Sequence, residues 1–188
     1  MNSKIKFAII GVILSVLLAI LILVIINFSS MQPRQMEILK PPPALLKVDG
    51  NEQISGIGSY CWDEADKVLG ITMSSTSVCA DYEGIHTPVE PLRSSSPFAA
   101  HLSLPLNEPP QELQLKVIQV TDEDEIIRSF ANDRAWHIKE GNYSNLTPER
   151  ESDINLSLLP GLYVIEVYPR WKEKGSVTYG FLVNVNVQ

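Results

Sequence analysis

Two cysteines and three histidines have the widest chemical scope in this chain. Cys61 and Cys79 cannot complete a four-ligand zinc site. His86, His101 and His137 share no spacing that would bring them to a common metal. The cysteines also lack the C-x-x-C spacing of a redox centre. What is left for the pair is a structural disulfide, which would close a loop of 18 positions. A loop of that size is worth about 3 kcal/mol on the chain-entropy model.

Nucleophile and acid–base sets are also missing. No serine sits in a G-x-S-x-G elbow, and Ser94-Ser95-Ser96 before Pro97 reads as a polar loop. Glu149, Glu151 and Asp153 form the kind of carboxylate cluster that any acidic surface carries, so they do not point to hydrolysis. Asp122–Glu125 lacks the alternating ligands and the glycine of a calcium loop. Gly56-Ile57-Gly58 does not lead into a helix as a dinucleotide fingerprint must. Asn142, Asn145 and Asn155 open glycosylation sequons, which matter only in a eukaryotic secretory pathway. The expectation is a protein without catalysis, cofactor or metal.

Binding chemistry is the alternative. Trp62, Asp81 and Tyr82 lie beside the cysteines and Trp171 lies near a turn, so these four are the candidate recognition surface. A purely structural role competes for each. A Trp beside a disulfide packs on it in sandwich cores, Asp81 would cap a turn, and Trp171 and Trp136 would pack inside. A rigid loop over 62–78 held by the disulfide would instead suit an inhibitor of an envelope hydrolase.

These residues need strands to position them. Apolar segments recur every 8–15 residues, separated by Pro, Gly, Asn or Asp. Expected strands are 45–48, 53–61, 77–82, 99–106, 113–121, 135–139, 154–158, 161–170 and 176–187. In the last, Val177, Tyr179, Phe181, Val183, Val185 and Val187 alternate with Thr178, Gly180, Leu182, Asn184 and Asn186, which predicts one buried face. Lys172–Gly175 supplies a turn, with Gly175 available for a positive φ. Residues 122–125 and 147–153 read as loops or short helical turns. The fold class is all-β: an immunoglobulin-like antiparallel β-sandwich, with a small β-barrel as the alternative.

The amino-terminal part differs in kind. In the 20-residue run Phe7–Ile26 only Gly11 and Ser15 are not hydrophobic, and no charge appears between Lys6 and Arg34. At about 1.5 Å per residue the run spans a bilayer core of roughly 30 Å. It is longer than a signal-peptide core, and Ile26–Ser30 is a poor cleavage site. The expected organisation is a cytoplasmic tail (1–6), one transmembrane signal anchor (7–28), a proline-containing stalk (29–43) and an extracytoplasmic domain (44–188). The short tail and the cysteine pair, which suits an oxidising compartment, set this orientation. The run also accounts for a mean hydropathy of +0.05 that describes neither part of the molecule. After residue 30 there are 13 basic and 22 acidic residues, a formal −9. That charge argues against nucleic acid and anionic lipid surfaces as partners.

Gly58-Ser59-Tyr60-Cys61-Trp62, then Cys79-Ala80-Asp81, then Pro160-Gly-Leu-Tyr-Val-Ile-Glu-Val167 with Trp171, Gly175, Tyr179, Phe181 and Val183 resembles a group of bacterial envelope proteins, mostly Gram-positive, that are membrane-anchored or lipid-modified. The resemblance covers about residues 44–188. It implies an extracytoplasmic β-domain and no known reaction. Together these readings lead to a single-pass envelope protein that acts as an interaction or sensory module by binding a protein, peptide or cell-wall glycan. An envelope hydrolase, or an inhibitor of one, is the alternative.

Overall fold

The computed structural model describes residues 39–68, 71–121, 125–129, 133–137 and 141–187, with Leu18 and Ile22. The tail, the anchor 7–28 and most of the expected stalk therefore lie outside the described residues. The compact unit runs from Leu39 to Gln188.

Its strands are β1 (Leu45–Val48), β2 (Asn51–Ile54), β3 (Gly56–Val68), β4 (Ile71–Ala80), β5 (Ile85–Thr87), β6 (Leu92–Ser95), β7 (Phe98–Ser103), β8 (Glu112–Gln119), β9 (Glu125–Ser129), β10 (Arg134–His137), β11 (Ser144–Asn145), β12 (Glu151–Leu156), β13 (Gly161–Trp171) and β14 (Gly175–Asn186). They form three sheets. The first has the order β12-β7-β1-β2 and the second the order β11-β8-β13-β14-β3-β4, while a small third sheet has the order β5-β10-β9. Neighbours pair antiparallel, except that β6 runs parallel to β14. One edge of β14 is taken by β13. The other is divided between β3, up to Gly180, and β6, from Val183.

The main core lies between the first two sheets. Leu46, Val48, Ala100 and Leu102 from one side meet Ile165, Val167, Val177, Tyr179 and Phe181 from the other, and all are essentially inaccessible to water. A second cluster, Ile85, Ile118, Trp136, Val164 and Leu182, joins the other face of the second sheet to the third sheet. Successive residues of a strand point to opposite faces, so β13 feeds both clusters, and Tyr163–Val167 is buried without a break. The single buried face expected for 176–187 is therefore corrected. Its even-numbered Gly180 and Leu182 are buried as well, because the third sheet covers them.

Turn chemistry sets the registers. Asp49 (φ 50°) and Gly50 (φ 80°) form the two-residue connection of the β1–β2 hairpin, whose left-handed backbone matches strand twist. Gly175 (φ 87°) closes the β13–β14 hairpin as its position predicted. Residues 147–150 form a loop, as one of the two readings had it, and 151–153 belong instead to β12.

The proline run is not a free spacer. Pro41 is buried, the Tyr179 hydroxyl donates to the Pro42 carbonyl (2.7 Å), and the Tyr60 hydroxyl donates to that of Leu39 (3.4 Å). The Pro42 acceptor lies on backbone whose φ angles the proline rings fix. The domain thus begins about five residues before the expected boundary at Ala44.

Candidate functional site

The disulfide forms between directly facing residues of β3 and β4, with Cα atoms 4.0 Å apart. Both cysteines are exposed, whereas Trp62 is 4% exposed and Trp171 2%. The alternation that turns Cys61 outward turns Trp62 inward. Trp62 therefore does not pack on the disulfide. It meets Trp171 edge to face, with ring centroids 5.8 Å apart. The Trp171 indole N–H donates to the Glu108 carbonyl at 3.1 Å. Neither tryptophan can belong to a recognition surface, which corrects that part of the expectation. Trp136 is also in the core, as its structural reading required.

β14 reaches no further along β3 than Trp62, which faces Gly175. Past that rung the Asp63 N–H still donates to the Lys174 carbonyl in the β13–β14 turn (3.0 Å), Glu64–Val68 pairs only with β4, and the described side chains of Glu64, Ala65 and Ser74–Ser77 are exposed. The hairpin thus leaves the sheet as an arm, and Cys61–Cys79 closes its base one rung before the departure. Replacing both cysteines by serine is expected to lower stability by about 2–3 kcal/mol through the unfolded state. A urea midpoint unchanged from that of the oxidised parent would refute this.

Asp81 and Tyr82 follow β4 and are exposed. The Ser59 hydroxyl lies within reach of Asp81 Oδ1 (2.8 Å) and the Tyr82 carbonyl (3.2 Å), and it accepts from the Tyr82 N–H (3.0 Å). Asp81 thus ties the segment after β4 to β3. The Tyr82 ring approaches Tyr60 (6.3 Å) and His86 (5.4 Å). So the four expected surface residues separate into a buried tryptophan pair and an exposed Asp81–Tyr82 pair.

His86 sits on β5 and is 8% exposed, with Nδ1 2.7 Å from Asp133 Oδ2. In a neutral ring this geometry puts the proton on Nδ1, donated to the carboxylate. Among the described residues, no hydroxyl or thiol bonds to its other ring nitrogen. β5 can lie this close because the facing pair Gly56 and Gly180 leaves a flat place beneath it. A Cβ at either would stand 2.3 or 2.0 Å from the His86 carbonyl oxygen. Beside it, the Trp136 indole N–H donates to Thr87 Oγ1 at 2.9 Å. Asp133 Oδ1 is buried without a hydrogen-bond partner.

Asp133 also lines an open groove of about 990 Å³, together with β2, Lys40, Pro41, Pro43 and the segment Pro88–Arg93. Gln53 crosses beneath it. Its amide donates to the Glu90 carbonyl (2.6 Å) and to that of Leu182 (3.3 Å), and it accepts from the Leu182 N–H (2.9 Å). Nothing in a sequence pattern singles out a glutamine for this role.

Glu151 and Asp153 meet basic side chains. On the outer face of the first sheet, His101 Nδ1 is 2.7 Å from Asp153, and Nε2 is 3.9 Å from Glu151. A hydrogen bond from Arg150 holds the exposed Glu151 carboxyl below the usual carboxylate range. Glu166, 6% exposed, has Lys116 at 3.6 Å. Among the described residues no three His, Cys, Asp or Glu side chains are grouped as a metal would need.

Three tyrosines titrate late. Burial pushes up the hydroxyls of Tyr60, Tyr143 and Tyr179, with Tyr82 adding to the first effect and Glu166 to the second. A folded value raised above the unfolded one leaves stability unchanged below about pH 10 and reduces it as pH rises beyond. Alkaline titration followed at 295 nm should leave the buried Tyr60 and Tyr179 protonated until the domain unfolds. Ionisation of all six tyrosines in one step near pH 10, with the fold intact, would exclude this.

Comparison of the chain with protein-family models, with curated proteins and with solved structures returns no match.

Proposed function

We propose that the domain from Leu39 onward is a membrane-tethered, extracytoplasmic interaction module. It binds a protein, peptide or cell-wall glycan at the envelope and catalyses no reaction. The apolar run 7–26 is its anchor, the amino terminus is cytoplasmic, and the likeness to bacterial envelope proteins supports that compartment. Two facing sheets with open edges at β2 and β12 favour an immunoglobulin-like sandwich over a closed barrel. The likeness rests on the layers alone, since the disulfide here joins neighbours within one sheet.

The observation that carries the reading is the arm, a two-stranded projection whose base is closed covalently and whose stem faces solvent. Such an element contributes little to a core and is pre-ordered for contact. The arm also favours a second reading, an inhibitor that seats it in the cleft of an envelope hydrolase.

Two measurements on the full chain in its native membrane test the proposal. Protease added to intact cells or spheroplasts should remove the domain. A photo-reactive residue at Ser75 should give a discrete adduct with protein or glycan. Protection until lysis would reverse the orientation, and turnover of a wall or peptide substrate by the domain would replace the binding role with an enzymatic one.

A further inference from the structure

One wall of the groove is unpaired backbone. The two-residue turn makes Val48 and Asn51 a hydrogen-bonded pair, and bonded and non-bonded pairs then alternate along an antiparallel ladder. In this register Leu46–Gln53 is bonded, while Glu52 and Ile54 face Lys47 and Leu45 as non-bonded pairs. Their N–H and C=O groups therefore point away from β1. β2 is the outermost strand on that side of its sheet, so these groups face the groove. An edge of this kind is a template for another strand.

The rest of the groove suits one. Pro41, Pro43, Pro88 and Pro91 line it; they add no N–H donors and their φ angles are fixed. Gln53 ties β2 to β14 and to the Glu90 carbonyl, so the two walls are held together before any ligand arrives. Among the charged side chains that line it, Glu52 pairs with Lys47 and Asp133 with His86. Lys40 and Arg93 have no ion-pair partner among the described residues, against one uncommitted acid, Glu90. In a domain of formal −9 these are two cations that no carboxylate holds.

We propose that this groove accepts an extended, acidic segment of a partner protein as an added strand on β2. The segment hydrogen-bonds to the outward groups of Glu52 and Ile54, and its carboxylates pair with Lys40 and Arg93. This rests on the interaction-module reading and assigns it a site and a ligand class.

The test uses the full chain in native membranes with a photo-reactive residue at Asn51, which lines the groove, and in parallel at Ser75 on the arm. From Asn51, the cross-linked peptide recovered by mass spectrometry should be an acidic segment of another protein. Ile54→Pro removes one outward N–H without removing a ladder bond, and should cut this adduct at least tenfold at an unchanged urea midpoint. Arg93→Glu should do the same, while Arg93→Lys keeps most of it. If Ile54→Pro unfolds the domain, the two Arg93 variants decide. An adduct indifferent to Arg93→Glu, or one formed with lipid, glycan or a second copy of this chain, overturns the inference. Adducts from Ser75 but none from Asn51 would refute the groove and leave the module reading standing. Adducts from neither position would refute both.

Discussion

Gly180→Val should cost this domain about 3 kcal/mol or more. Overfilling a packed site costs about 1–3 kcal/mol when neighbours can shift. Here the obstacle is backbone. The new Cβ would stand 2.0 Å from the His86 carbonyl oxygen and 3.1 Å from the Ile85 side chain. β5 would have to rise from the second sheet. That movement would strain the His86–Asp133 contact and the Trp136–Thr87 hydrogen bond together. The loss should appear as an early urea transition and a changed Trp136 environment. Gly58→Ala is the control, because its nearest contact would be an ordinary 3.4 Å to Thr178. Its midpoint should stay within about 0.5 kcal/mol of the parent. If Gly180→Val and Gly58→Ala prove equally stable, the close seating of β5 is wrong.

Trp171→Ala should lower stability by about 3–5 kcal/mol, the range for deleting a buried aromatic side chain. The cavity would open between β13 and Trp62, and the Glu108 carbonyl would lose its donor. Trp62→Ala should fall in the same range. In a Trp62→Ala/Trp171→Ala cycle the two losses should sum to more than the loss in the double variant, because the rings contact each other. A recognition tryptophan would behave in the opposite way, with a stability change within about 0.5 kcal/mol and a lost ligand. Chemical denaturation of the two single variants separates these outcomes without any ligand in hand.

Much of the architecture was legible because period-2 alternation is a direct consequence of strand geometry. It placed β13 and β14 within a residue of their observed ends, and it located Gly175 at a turn. It could not show that Gly180 and Leu182 lie under a third layer. That depends on β5, β9 and β10, which are short, and on the pairing of β5 with β10, far apart in sequence. Asp49-Gly50 is a strong hairpin signal, yet β2 between it and Ser55 carries only one inward side chain, Gln53, and no apolar alternation. The disulfide followed from having two cysteines and no metal-ligand spacing. The surface assignment failed for Trp62 because proximity in sequence to Cys61 is opposition in space along a strand. His86–Asp133, 47 residues apart, and Lys116–Glu166 were invisible for a related reason. Each pair is made by tertiary pairing, and neither member has a distinctive local context.

The position of β14 governs how the domain can be made. It is the last strand described, yet it lies in the interior of the largest sheet, and through Leu182 it grips Gln53 across 129 residues of chain. Strands already synthesised can form hairpins, but β3 and β6 have no common neighbour until β14 arrives. Folding must therefore wait for almost the whole domain to emerge. Long-range closure of this kind makes acquisition of structure slow and cooperative rather than stepwise. A truncation removing β14 would leave no smaller domain, only a substrate for quality-control proteases.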